Sequence, residues 1–116
     1  YGSTILPGTP VYYKQGNDEA MASLVADVDA GKIGAVIFYN CNPVYDHPLG
    51  SKLAASLKKV SLSVSTNYKE DETGSQAQFQ APDHHYLEAW NDAEPKKGFF
   101  SLAQPTITPI FKSRAA

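Results

Sequence analysis

The side chains best suited to chemistry fall in three stretches. They are Asn40, Cys41, Asn42, Asp46 and His47; Asp71 and Glu72; and Asp83, His84, His85, Glu88 and Trp90. Carboxylates, imidazoles and thiols are the groups that move protons, attack carbonyl carbons or ligate metals. Asp83-His84-His85 with Glu88 and Asp92 supplies metal-ligand types. Adjacent histidines point in different directions, and neither HxxxH nor HExxH spacing occurs, so a capping aspartate and loop histidines are the better reading. Cys41 sits near His47, but a nucleophilic cysteine needs a field that stabilises its thiolate. The neighbouring Asp46 raises a thiol pKa instead, and Cys41 reads as a small apolar side chain. His47, His84 and His85 carry imidazoles, which suit proton transfer, yet nothing sets them against a substrate. No catalytic residue and no metal ligand is assigned.

Phosphate binding is the remaining chemistry. The sequence has no GxGxxG and no Walker motif. A helix N-terminus near Asp46 would offer free N–H groups, but the Asp46 carboxylate is expected to cap them. Asp71, Glu72 and Asp83 add negative charge and oppose a pyrophosphate. A carboxylate there suits hydrogen bonds from a guanine edge, as with other base donors.

These stretches matter because of the elements between them. Asn17 caps a predicted helix with Asp18 and Glu19 in its first turn. Met21, Leu24, Val25 and Val28 form its apolar stripe, and Gly31 ends it. Ile33 to Tyr39 is a nearly continuous apolar run, predicted as a strand buried on both faces. After the Asn40–Pro43 loop, a second helix from about Asp46 buries Leu49, Leu53, Leu57 and Val60. Val60, Leu62 and Val64 then alternate with serines as a second strand. A helical turn follows Lys69–Glu72, and Phe79 to Pro82 reads as a third short strand. Asp83 to Trp90 is predicted as a loop with one helical turn. The crossover between the first two strands has the length of a βαβ unit. Ligands in such sheets bind beyond the carboxyl ends of the strands, where all three stretches would meet.

The expected fold class is therefore α/β: a small Rossmann-like three-layer unit with a short parallel sheet and an irregular C-terminal tail. Residues 1–16 read as an extended lead-in, 17–92 as the α/β domain, and 93–116 as a tail packing on its edge or on a missing neighbour. Trp90, Tyr86, Phe99 and Phe100 belong either to this unit's core or to a surface for absent domains.

Composition sets the outer limits. The chain has 116 residues, 42% hydrophobic and 19% charged, with net charge −2. This suits one globular domain and gives no basic excess for nucleic acid. No apolar run approaches a membrane span. The single cysteine permits no internal disulfide and no four-thiolate iron–sulfur cluster. A chain opening at Tyr1, without Met or signal peptide, is expected to be a piece of a larger protein.

From Gly16 to about Arg114 the chain resembles the α/β portion of molybdopterin oxidoreductases. The resemblance rests on four ordered segments: GNDEAMASLVADVDAGKIGAVIFYNCNPVYDHPLGSKLAASLKKV, KEDET, APDHHYLEAWND and FFSLAQPTITPIFKSR. Within that family it is similar to the large iron–sulfur subunit of alternative complex III and its polysulfide-reductase-like relatives. The resemblance implies a fragment of a respiratory, quinol-oxidising subunit at the periplasmic face of the bacterial inner membrane. It also implies export by the twin-arginine route. The molybdopterin-like half would lack the molybdenum cofactor, with iron–sulfur clusters carried elsewhere in the parent. Partners would be the parent's other domains and membrane-anchored subunits.

In cofactor-bearing relatives the corresponding loops approach a guanine dinucleotide. The resemblance carries that role to Asn40, Cys41, Asn42 and Pro43, to Asp71, Glu72 and Thr73, and to Asp83 and His84. The leading expectation is a structural domain without turnover of its own. The first alternative is the guanine-dinucleotide half of a molybdopterin cofactor cleft in an active reductase. The second is an unrelated small nucleotide-binding module of flavodoxin-like type, which would need a phosphate loop.

Overall fold

The structure is a computed structural model and describes residues 4, 5, 7, 8 and 16–114. Most of the expected extended lead-in lies outside the described residues. The described chain forms two compact units, Asn17–His84 with residues 110–114, and His85–Pro109 with the described part of the N-terminal stretch.

The first unit is the small α/β fold. Helix α1 spans Asp18–Asp29. Asn17 Oδ1 accepts from the Ala20 amide at 3.0 Å, satisfying one orphan donor of the first turn. At the other end Lys32 N donates to Asp27 O and Gly31 N to Val28 O, the paired bonds of a Schellman motif. That motif needs a left-handed residue, and Gly31 supplies it with φ 69°. Val25 and Val28 are buried and Met21 packs beside them. Leu24 is exposed, because it lies at the margin of the stripe's arc.

Strand β1, Ala35–Phe38, pairs in parallel with β2, Leu62–Ser65, and β2 pairs in parallel with β3, Phe79–Gln80. Between β1 and β2 the chain makes a short helix α2, Pro43–Asp46, then α3, Gly50–Ser56, and a 3-10 turn at Leu57–Lys59. Asp46 therefore ends α2 and does not cap the second helix: Asn42 holds the N-cap position of α2, and Leu49 that of α3. Pro43 favours that start, since its missing N–H falls where no helical partner exists. The core joins Val25 and Val28 of α1, Phe38 of β1, and Leu53, Leu57 and Val60.

Two expectations fail in the sheet, for one reason. α1 and α3 pack on the same face, so β1 is buried on one side only: Val36 and Phe38 meet the helices while Ile37 and Tyr39 are exposed. The described residues thus build two of the three layers suggested by sequence. On β2 the alternation runs opposite to its hydrophobicity. Ser63 and Ser65, paired with Val36 and Phe38, are fully buried, whereas Leu62 is exposed. The serines survive burial because each hydroxyl has work: Ser63 Oγ accepts from Gln78 N at 2.9 Å, and Ser65 Oγ accepts from Asn67 N at 3.4 Å.

The tail expected to be irregular contains a hairpin. Strand β4, Asn91–Lys96, pairs antiparallel with β5, Phe99–Ala103, around Gly98 at φ 79°. Every residue of β5 is exposed, and so are Tyr86 and Trp90. These aromatics are therefore surface residues and not core. Among the described residues, no helix is long and apolar enough to cross a membrane.

Candidate functional site

The loops after β1 and β2 meet at the carboxyl edge of the sheet. Asn40 leaves β1 with φ 48°, a left-handed conformation that asparagine tolerates better than most residues. This turn directs Cys41 and Asn42 toward the second loop. Asn42 uses both the oxygen and the nitrogen of its amide there. Its Oδ1 accepts from Thr73 N at 3.1 Å and from Thr73 Oγ1 at 2.7 Å, and its Nδ2 donates to Glu72 Oε2 at 2.7 Å. Thr73 is fully buried, and its Oγ1 accepts in turn from Val44 N at 3.0 Å. The result is a clasp of four hydrogen bonds joining two loops some 30 residues apart in sequence.

Asp71 and Asn67 form a second tie. Asp71 Oδ1 accepts from Gly74 N at 2.7 Å, which sets the turn that presents Thr73. Asn67 Nδ2 donates to Cys41 O at 2.9 Å and also to Asp71 Oδ2. Its Oδ1 is buried without a partner among the described residues. Asn67 escaped the sequence reading because a lone asparagine after a strand carries no motif; only its place after β2 could have suggested it.

Electrostatics at this edge are acidic. The hydrogen bond from Asn42 holds Glu72 below the usual glutamate range. Desolvation around its sulfur pushes the Cys41 thiol up, and Asp71 and Asp46 add to the rise, although Cys41 as a residue is exposed. A thiol so held is protonated at neutral pH and is a poor nucleophile.

The third predicted stretch is divided between the two units. Asp83 and His84 stay with the sheet: Asp83 N donates to Thr66 O at 3.0 Å, and Asp83 Oδ1 caps His84 N at 2.7 Å. His84 Nδ1 meets Ser113 Oγ at 2.7 Å. His85, Glu88 and Trp90 lie in the hairpin unit, where the His85 and Glu88 amides, carbonyl and carboxylate close one turn. His47 is structural, its Nδ1 accepting from Leu49 N at 3.1 Å between α2 and α3. Among the described residues no three metal-ligating side chains converge.

A guanine dinucleotide needs donors for its pyrophosphate. At α2 these are already used. Pro43 has no N–H, Val44 N donates to Thr73, and the Tyr45 and Asp46 amides donate to Asn42 O at 3.0 and 2.9 Å. With Asp46, Asp71 and Glu72 around them, the loops as formed do not fit a pyrophosphate. Glu72, exposed and held ionised, retains an oxygen that suits a base edge.

No family model matches the chain. The chain is similar to the molybdopterin-binding-like subunit of menaquinone reductase from Nitratidesulfovibrio vulgaris, at 33% identity over 99 residues. The match covers 82% of this chain and 14% of that protein. It supports a molybdopterin-oxidoreductase-like relationship, with this chain spanning a small part of its relative's length.

Proposed function

We propose that this chain is one structural domain of a large molybdopterin-oxidoreductase-like subunit in a quinone-linked respiratory complex, with no turnover of its own. The similarity to a menaquinone reductase subunit supports the coarse part of this reading. The resemblance to the alternative complex III subunit extends it to a periplasmic location and to iron–sulfur clusters elsewhere in the parent. Partners are then the parent's remaining domains and membrane-anchored subunits.

The observation that carries the absence of turnover is the Asn42–Thr73 clasp. A cofactor cleft keeps its donors free for the ligand, whereas here the amides and hydroxyl at the loop tips are consumed between the loops. The loops act as a brace that fixes α2 against the second crossover. Glu72 favours the competing reading, in which the chain is the guanine half of a cofactor cleft, because a carboxylate can accept from a guanine edge.

Elemental and pterin analysis of the natural full-length polypeptide, purified with its maturation machinery, separates the two. Iron without molybdenum or pterin is the expected result. Stoichiometric molybdenum and pterin would overturn the structural reading and make Asn40–Pro43 and Asp71–Thr73 cofactor contacts.

A further inference from the structure

The residues of β1–β3 divide between two faces, and among the described residues only one of these is packed by helices. The other presents Ile37, Val64 and Phe79 in a single row, since Ile37 pairs with Val64 and Val64 with Phe79. Ala35 and Leu62 form the next row. Ile37 is 67% exposed and Phe79 59%, and none of these side chains carries a charge or a hydrogen-bonding group. Parallel sheets occur almost only with both faces covered, and an apolar row of this kind marks a packing surface.

Its dimensions select the occupant. Two interstrand steps of about 4.8 Å place β1 and β3 roughly 10 Å apart, the diameter of one α-helix with its side chains. A second sheet would overhang such a strip on both sides. β1 and β2 are four residues long, so the strip runs about 13 Å and takes two to three helical turns.

We infer that the open face of β1–β3 seats one amphipathic helix, supplied by the same natural polypeptide outside these 116 residues, with its apolar stripe on Ile37, Val64 and Phe79. The source follows from coverage. The match spans 14% of its relative, so most of such a subunit lies outside this chain. Helices that cover parallel sheets also come from crossovers within one chain. The inference rests on the proposal that this chain is part of a longer subunit, and it names what that subunit packs here.

The test uses Ile37→Cys and Phe79→Cys, each with Cys41→Ser, in the 116-residue chain and in the natural polypeptide. All three positions are exposed, and circular dichroism checks that the fold is kept. Maleimide labelling is expected to be fast in the short chain at every concentration. It is expected to be at least about tenfold slower in the natural polypeptide. A photo-crosslinker attached at position 37 is expected to capture a helical segment of the same polypeptide outside these residues. Equal labelling rates in both forms would overturn the inference alone. So would protection in the short chain that grows with concentration, which marks a second copy, or capture of a different polypeptide. A natural polypeptide no longer than this chain would overturn the fragment reading and the inference together.

Discussion

Thr73 has no exposed surface, yet its hydroxyl serves one donor and one acceptor at once. Thr73→Val keeps the shape and leaves the Val44 amide without its acceptor. The expected loss is about 1–3 kcal/mol, seen as a lower urea midpoint with unchanged slope. Asp29 works differently. Lys59 Nζ donates to its Oδ1 at 2.7 Å and to its carbonyl at 2.8 Å, and Ser56 Oγ donates at 2.9 Å, tying α1 to α3. These hydrogen bonds, that from Lys59 first, lower the Asp29 pKa from an ordinary 3.8 to about 2. A depressed carboxylate contributes stability that is present above its unfolded pKa and lost as pH falls through the folded one. The melting temperature should therefore fall between pH 3.8 and about 2, and Asp29→Asn should flatten that part of a thermal-melt pH series. Glu72, lowered by Asn42, adds a loss of the same sign on the acid side.

Among the elements, α3 begins at a position where only glycine fits. A Cβ on Gly50 would stand 2.7 Å from the Val44 carbonyl carbon and 2.8 Å from the Pro43 carbonyl oxygen. Both are backbone and cannot swing aside. Gly50→Ala is expected to cost about 1–3 kcal/mol and to lower the thermal midpoint, whereas Gly34→Ala, with open space around it, should change the midpoint far less. The readability of elements from sequence follows the same physics. α1 was legible because Asn17, the acidic first turn and Gly31 each act locally. The facing of β2 was not, since hydrophobicity favours Val64 and Leu62 inside, while Ser63 and Ser65 are inside through partners distant in sequence. The hairpin was hidden by Pro95 and its flanking charges, which read as loop. At the edge, the meeting of the Asn42 and Thr73 loops followed from strand order, but their mutual hydrogen bonds did not, because two polar loops can equally point at a ligand.

For the molecule as a whole, protection should be uneven. α1, β1 and α3 share a buried core, whereas the β4–β5 hairpin has two strands and exposes all of β5. Hydrogen exchange on the 116-residue chain should show slow amides at Val36 and Phe38 and exchange near the unprotected rate in Phe99–Ala103. Uniform protection across both would show that the hairpin is held by more than its own pairing. Strand order carries a further meaning. β1 pairs with β2 and β2 with β3, so each sheet contact joins neighbours in synthesis order. A ribosome delivering α1 and β1 first has everything needed to close the core once β2 emerges, with no wait for a distant strand. The helical side can thus be complete early in translation. Closing the helical side leaves the row of Ile37, Val64 and Phe79 untouched, so a nascent chain that has formed these strands presents the same apolar row to its surroundings.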